Sequence, residues 1–210
     1  MADAVKQILR SVTSALQVPT IIILLILIAV TVVVLGMFIV EYFTERRRMR
    51  AKIPELVDRV QGKNMAEIAE IVKKSGLLKR QKAALLSLIR HDNLTDDTRD
   101  AFARQLLFEE QTHYDKITKV TDVIARIAPM FGLLGTLIPL GPGIIALGQG
   151  DTKTLSSSLL VAFDTTAAGL VSAAVAFVIS AIRKRWYENY IVGLETLMET
   201  VLEEQSRSRQ

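Results

Sequence analysis

The 210-residue sequence contains no cysteine and only two histidines. A chain without cysteine forms no disulfide, zinc–thiolate or iron–sulfur centre and has no thiol nucleophile. His91 and His113 have no carboxylate cluster at metal-ligand spacing, and the sequence has no P-loop, HExxH or GxSxG motif. We therefore predict a protein that is not an enzyme and that holds neither a metal nor another cofactor.

Charged residues are missing from long stretches as well. None lies within residues 11–40 or 127–150, and Asp164 is the only one within residues 154–182. Because about 20 apolar residues in a helix cross the hydrocarbon core of a bilayer, this distribution predicts an all-α integral membrane protein. Its three transmembrane helices are expected at residues 19–43, 127–149 and 159–182.

The lysine and arginine side chains predict how these helices are oriented. Most of the 26 basic residues lie within residues 44–126, and Arg183–Arg185 follow the third span. Such residues remain preferentially on the cytoplasmic side of a membrane. The net charge of +4 then reflects topology, and we predict no binding to nucleic acid. The segments expected outside are residues 1–18 and 150–158, and those expected inside are residues 44–126 and 183–210.

The two inner segments show the patterns of amphipathic helices and no strand pattern. Asn64 and Glu67 form a capping box, and Gly76 is the predicted C-cap of the helix that they open. Thr95 opens a helix that has no breaker before Pro129. We therefore predict that long helices extend from the spans into the cytoplasm and pack on each other or on other subunits. Helices lying on the membrane surface are the weaker alternative, because the polar face of the C-terminal segment is mainly glutamate.

The second span contains small residues and prolines. Gly132 and Gly135 allow a close approach of another helix. Pro139 and Pro142 each remove a backbone donor, so we predict that they bend or break the helix. Freed carbonyl groups at membrane depth must be buried in protein or face water. Two interpretations remain open, a packed kink and a distortion that lines a pore.

The third span contains three consecutive polar residues, Asp164, Thr165 and Thr166. An ionised carboxylate in hydrocarbon costs a few kcal/mol or more, so an acid inside a span indicates a function. We predict that Asp164 serves an ion path or a specific bond between subunits, and that Thr165 also belongs to the ion path. The alternative is a solvated residue in the first turn of the helix, at the outer interface, with Ser156–Ser158 capping that helix.

Two short motifs resemble those of the MotA/TolQ/ExbB proton channel family. They are the sequence GLLGT at Gly132–Thr136 and the sequence TAAGL at Thr166–Leu170. The resemblance implies a homopentamer in which spans two and three line a central pore. That pore would enclose two copies of a single-span partner of the ExbD, TolR or MotB type, and Thr136 and Thr166 would be its hydroxyl-bearing residues. Gly169, in the second motif, would be a helix-packing residue like Gly132 and Gly135.

The function implied by this resemblance is that of a stator-type subunit in a motor driven by protons or sodium ions. It would convert ion-motive force into mechanical work as a multi-pass protein of the plasma (inner) membrane of a prokaryote, in contact with membrane lipid. One departure is Val161, where the ExbB and TolQ branch carries a glutamate, and Asp164 follows about one turn later. Two alternatives are a cation pore that uses Asp164 without a partner, and a non-conducting membrane scaffold.

Overall fold

The structure, a computed structural model, describes residues 2–48 and 53–208. Residues 1, 49–52, 209 and 210, which belong to the predicted N-terminal, inner and C-terminal segments, lie outside the described residues. Every regular element in the described part is an α-helix, so the predicted all-α class is confirmed. The helices are α1 (Ala2–Arg48), α2 (Ile53–Val60), α3 (Met65–Lys74), α4 (Lys79–Arg90), α5 (Asp96–Gly148) and α6 (Thr152–Arg207).

Three of these helices are long and apolar enough to cross a membrane, as the uncharged stretches predict. They are Ser11–Thr44 within α1, the whole of α5 and the whole of α6. The mean hydropathy of the most apolar window is 3.3 in α1, 1.9 in α5 and 2.0 in α6. Helix α5 begins directly after Thr95, where the sequence predicts a helix start, and it continues without interruption to Gly148.

One helix end differs from the prediction. Asn64 caps α3 as expected, since its side-chain oxygen accepts a hydrogen bond from the Glu67 backbone N–H at 2.9 Å. The C-cap, however, is Ser75 and not Gly76, and the backbone at Ser75 is extended. The Ser75 hydroxyl donates to the Val72 carbonyl at 2.6 Å, so a side chain satisfies the helix end and no left-handed glycine is needed there.

Of the two outcomes predicted for the prolines of the second span, a bend or a break, the break is wrong. Helix α5 continues through Pro129, Pro139 and Pro142, so they do not break it. Each proline removes only one backbone donor. Pro139 is buried, as are Ile138 and Ala146, so this helical segment packs against other parts of the chain.

The turn between α5 and α6 is shorter than the predicted outer loop at residues 150–158. Gly150 has a φ of +81° and the Asp151 N–H donates to the Ala146 carbonyl at 2.9 Å, which closes α5. Asp151 then caps α6, because its carboxylate accepts from the Thr154 N–H at 3.0 Å. The serines predicted as caps, Ser156–Ser158, therefore lie inside α6.

The chain divides into two compact units. The membrane unit comprises Met1–Phe38 and Lys119–Ala181, and the bundle unit comprises Ile39–Thr118 and Ile182–Gln210. The core of the membrane unit is built mainly from small residues, whereas the core of the bundle unit is built from large aliphatic ones that α2 to α6 contribute. The bundle core includes Leu56, Ile68, Leu85, Leu88, Leu194, Leu197, Met198 and Val201.

Candidate functional site

Helices α5 and α6 approach each other in the membrane unit at glycine residues. A Cβ atom on Gly169 would lie 2.6 Å from the Ala128 carbonyl oxygen and 2.9 Å from Gly132 Cα. A Cβ atom on Gly135 would lie 2.7 Å from Thr165 Cβ. The helix spacing therefore leaves no room for a side chain at Gly135 or Gly169.

This close approach brings the two motif threonines together. The hydroxyl groups of Thr136 and Thr166 are in hydrogen-bonding contact across the two helices. Thr136 Oγ1 also lies 3.1 Å from the Ala162 carbonyl oxygen and 3.2 Å from the Gly132 carbonyl oxygen. Both threonines are half-buried, so their hydroxyl groups lie at the edge of the helix contact. A hydroxyl both donates and accepts, so such a pair can hold water or a cation at this edge.

Thr165 is adjacent to Thr166 but makes different contacts. Its side chain is buried against Gly135, and its hydroxyl lies 2.9 Å from the Val161 carbonyl oxygen and 3.0 Å from that of Ala162, both on its own helix. These contacts satisfy the hydroxyl within α6. The geometry gives Thr165 a packing contact, and its role in an ion path stays a prediction.

Asp164 lies on another face of α6. Helix positions i and i+2 are separated by about 200° around the helix axis. Asp164 and Thr166 therefore point to nearly opposite sides of α6. Asp164 is exposed in the single chain. Helix α6 begins at Thr152, about three turns earlier, so the prediction that Asp164 could be a first-turn residue is wrong. Its role in an ion path or between subunits stays a prediction.

The proline-rich end of the second span lines an open groove in the membrane unit. The groove has a volume of about 450 Å³. Pro142 is exposed and lies in its wall, whereas Pro139 is buried. One wall is polar and comes from α1, and the other is largely apolar and comes from α5. The lining residues are Ser11, Thr13, Ser14 and Gln17 of α1 and Leu137, Ile138, Gly141, Pro142 and Ile145 of α5.

Two polar contacts were missed in the sequence. In the membrane unit, the Ser180 hydroxyl donates a hydrogen bond to the Asp122 carboxylate. In the bundle unit, the buried Arg183 guanidinium binds Glu41, with Nε at 2.8 Å and Nη2 at 2.7 Å from Glu41 Oε2, and the Tyr187 hydroxyl donates to Glu41 Oε1 at 2.6 Å. Arg183 was interpreted only as a topological signal. The opposite charges of Glu41 and Arg183 are the only signal for this ion pair in the sequence, and they indicate it only once α1 and α6 are known to be neighbours.

Asp151 and Arg80, which lie outside the spans, have shifted pKa values with clear causes. Hydrogen bonds from the Thr154 hydroxyl and backbone hold the pKa of Asp151 below its ordinary value, which matches its position as the cap of α6. The Glu110 carboxylate raises the pKa of Arg80 through a hydrogen bond to Nε at 3.1 Å. Neither group lies near the threonine pair in sequence, and both stabilise helix ends or contacts between helices.

Comparisons with known proteins found a similar protein and a family profile that matches the chain. The chain is 31% identical over 144 residues to a Vibrio cholerae serotype O1 protein named biopolymer transport protein exbB1. The match covers 66% of this chain and spans 62% of the length of that relative. The sequence profile of the MotA/TolQ/ExbB proton channel family matches residues 64–196, which contain both threonines and all three packing glycines. With its three long apolar helices, the chain is a multi-pass membrane protein that belongs to the MotA/TolQ/ExbB proton channel family.

Proposed function

We propose that the protein is the pore-forming, stator-type subunit of a motor driven by protons or sodium ions. Five copies surround a central pore, and two copies of a single-span partner of the ExbD, TolR or MotB type occupy it. Ion flow moves subunits and partner against each other and delivers mechanical work. Family membership and the similarity to a protein named for biopolymer transport support this function.

The observation that carries the proposal is the hydroxyl contact between Thr136 and Thr166. Leu133 and Leu137 flank Thr136 on α5 and are each 57% exposed, so the hydroxyl pair forms a polar patch beside an apolar surface. A wall of this kind offers a moving carboxylate two different environments. One is apolar and the other has oriented donors.

The mechanism follows from the free energy of a carboxylate in these two environments. Against the apolar wall the partner's carboxylate is neutral, because a low dielectric disfavours the charged form. Facing the hydroxyl groups it is ionised, because donors stabilise the charge. A proton or sodium ion therefore binds and leaves at different positions of the partner, which couples ion flow to movement.

The test uses vesicles that contain the full chain and a single-span protein of this type from the same genome, with a pH-sensitive or sodium-sensitive dye inside. Thr136→Val and Thr166→Val remove a hydroxyl and keep the side-chain shape. We expect each to lower flux by about tenfold or more, since a hydrogen bond to a charged group is worth about 1.5 kcal/mol or more. Thr136→Ser and Thr166→Ser keep the hydroxyl and should retain flux.

Thr165→Val tests the predicted role of Thr165 in the ion path, because the Thr165 hydroxyl bonds within its own helix. We expect this variant to conduct. Wild-type flux in the Thr136→Val, Thr166→Val double variant would contradict the mechanism. A wild-type complex that binds its partner and conducts nothing would favour the non-conducting scaffold.

A second candidate is a cation pore that uses Asp164 without a partner. Its support is the exposure of this carboxylate on α6, away from the threonine pair. In such a pore, copies of Asp164 from several chains would form a ring. Flux through vesicles that contain this chain alone, lost in Asp164→Asn, would favour this candidate over the motor subunit.

The proposed location is the plasma (inner) membrane of a prokaryote. The proposed topology has residues 1–18 and 150–158 outside and residues 44–126 and 183–210 inside. The chain has no cysteine, so the labelling of a single introduced cysteine shows on which side of the membrane that position lies. A membrane-impermeant thiol reagent should label Lys153→Cys in intact cells and Asn93→Cys only after permeabilisation. The opposite labelling would invert the topology.

A further inference from the structure

The contact between Asp122 and Ser180 is a second polar link between α5 and α6 inside the membrane unit. Ser180 is buried, whereas Asp122 is half-buried. The carboxylate therefore lies at the edge of the helix contact, as the hydroxyl groups of Thr136 and Thr166 do. This contact has no role in the ion path proposed above.

The two polar contacts are related by a regular spacing along both helices. Asp122 precedes Thr136 by 14 residues on α5, and Ser180 follows Thr166 by 14 residues on α6. The two helices run in opposite directions, so one helix register produces both contacts. Fourteen residues are close to four helical turns, which places Asp122 within about 40° of Thr136 around α5 and about 21 Å along it.

The helix contact between these two levels is mainly apolar. Ile124, Ala128, Ala173 and Ala176 form a buried cluster there, and Gly169 packs against the backbone of Gly132. A cation at the threonine pair therefore cannot continue between the two helices of one chain. It has to follow the edge of the contact, on which both polar levels lie.

We propose that Asp122, held by Ser180, is an inner station of the ion path that receives the cation after it leaves the threonine pair. The proposal rests on the proposed function and adds a residue to it. A fixed carboxylate raises the local concentration of cations and speeds their arrival. The Ser180 hydroxyl keeps the carboxylate at the edge of the contact. In an assembly of identical chains, every chain contributes one such carboxylate at the same height.

The test is flux in the vesicles described above, with assembly checked by the mass of the detergent-extracted complex. Asp122→Asn keeps an oxygen that accepts from Ser180 but removes the charge. We expect it to lower flux about tenfold, the lower end of what local charge contributes to the arrival of an ion. Asp122→Glu and Ser180→Ala keep the charge and should stay within about threefold of wild type. Arg126→Gln removes an exposed neighbouring charge and should not lower flux.

The outcomes separate this inference from the proposed function. If Thr136→Val stops flux and an assembled Asp122→Asn conducts like wild type, the inner station is wrong and the motor subunit stands. A loss in Ser180→Ala as large as that in Asp122→Asn would mean that packing at this contact, and not the carboxylate charge, causes the effect, and it would overturn the proposal. If Asp122→Asn does not assemble, the double variant Asp122→Ser, Ser180→Asp is measured in its place. It keeps a carboxylate and a hydroxyl at this contact but moves the carboxylate to α6. Flux in this assembled double variant supports the station, and no flux overturns it.

Discussion

Helices α5 and α6 pack in two different ways in the two units. In the membrane unit they meet backbone to backbone, with Gly169 against Gly132. In the bundle unit they meet through large side chains, and the rings of Tyr114 and Tyr187 are stacked with centroids 4.4 Å apart. Lipid tails are as apolar as leucine, so helices in a membrane gain from close approach, whereas burial of large apolar groups drives packing in water.

The polar contacts of the two units differ in the same way. The membrane unit uses hydroxyl groups, as in the pair of Thr136 and Thr166 and in the contact of Ser180 with Asp122. The bundle unit uses ion pairs, such as Arg80 Nη2 to Glu110 Oε1 at 2.9 Å. The two units should therefore be sensitive to opposite changes in size. The bundle unit should not tolerate the loss of side-chain volume, and the membrane unit should not tolerate its gain.

The largest expected effect is a loss of volume in the bundle unit. Leu88 is fully buried, and Leu88→Ala should lower the free energy of unfolding of this unit by about 3 kcal/mol through lost burial and a cavity. Hydrogen exchange of the α4 amides in the full chain measures it. Phe108→Ala is the matched control, because this ring is 64% exposed and its removal should cost less than about 0.5 kcal/mol. Equal effects of the two variants would contradict the large-residue core.

A gain of volume in the membrane unit should have the next largest effect. In Gly169→Ala the new methyl group would collide with backbone atoms of α5, which cannot move as a side-chain end can. We expect a loss of about 2 kcal/mol and a thermal midpoint lower by about 5 °C in detergent. Gly141→Ala adds the same methyl group to open space and should leave the midpoint unchanged or raise it. A stable Gly169→Ala variant would mean that the two helices are not in close contact.

The smallest effect is expected at the cap between the two spans. Asp151→Ala removes the carboxylate that caps α6, so the thermal midpoint should fall at neutral pH. Because the pKa of Asp151 is lowered in the folded protein, its stabilisation is present above the unfolded-state pKa and is lost as the pH falls through the lowered value. The difference between Asp151→Ala and wild type should therefore vanish in acid.

Ser157→Ala is the control for the cap, because Ser157 donates to the Thr154 carbonyl inside α6 and caps nothing. Thermal scans of both variants across the acidic range provide the measurement. A difference for Asp151→Ala that persists unchanged in acid would show that its carboxylate charge is not responsible.

Local patterns in the sequence predict the helices and the uncharged spans well, because periodicity, capping residues and charge act over a few residues. The start of α5 after Thr95 and the capping of α3 by Asn64 are examples. The prediction failed where two local solutions compete. Ser75 takes the place of Gly76 at the end of α3, and Asp151 takes the place of the later serines at the start of α6.

Contacts between distant residues could be predicted only where a family motif marks them. Thr136 and Thr166 were found in this way, and their direct contact is a finding of the structure. Asp122 with Ser180 and Glu41 with Arg183 carry no such mark, and each pair depends on the register of two helices. That register is not readable from periodicity, since sliding one helix by a turn preserves every local pattern.

The tight turn formed by Gln149, Gly150 and Asp151 makes α5 and the start of α6 a helical hairpin with almost no slack. This turn fixes the register of α5 against α6 at both polar contacts, so one contact cannot shift by a helical turn without the other. An extra residue in this turn would misalign the hydroxyl pair and the carboxylate together. In the proposed motor, a working stroke carries the hairpin as one piece, and its force is transmitted at the outer surfaces of the hairpin.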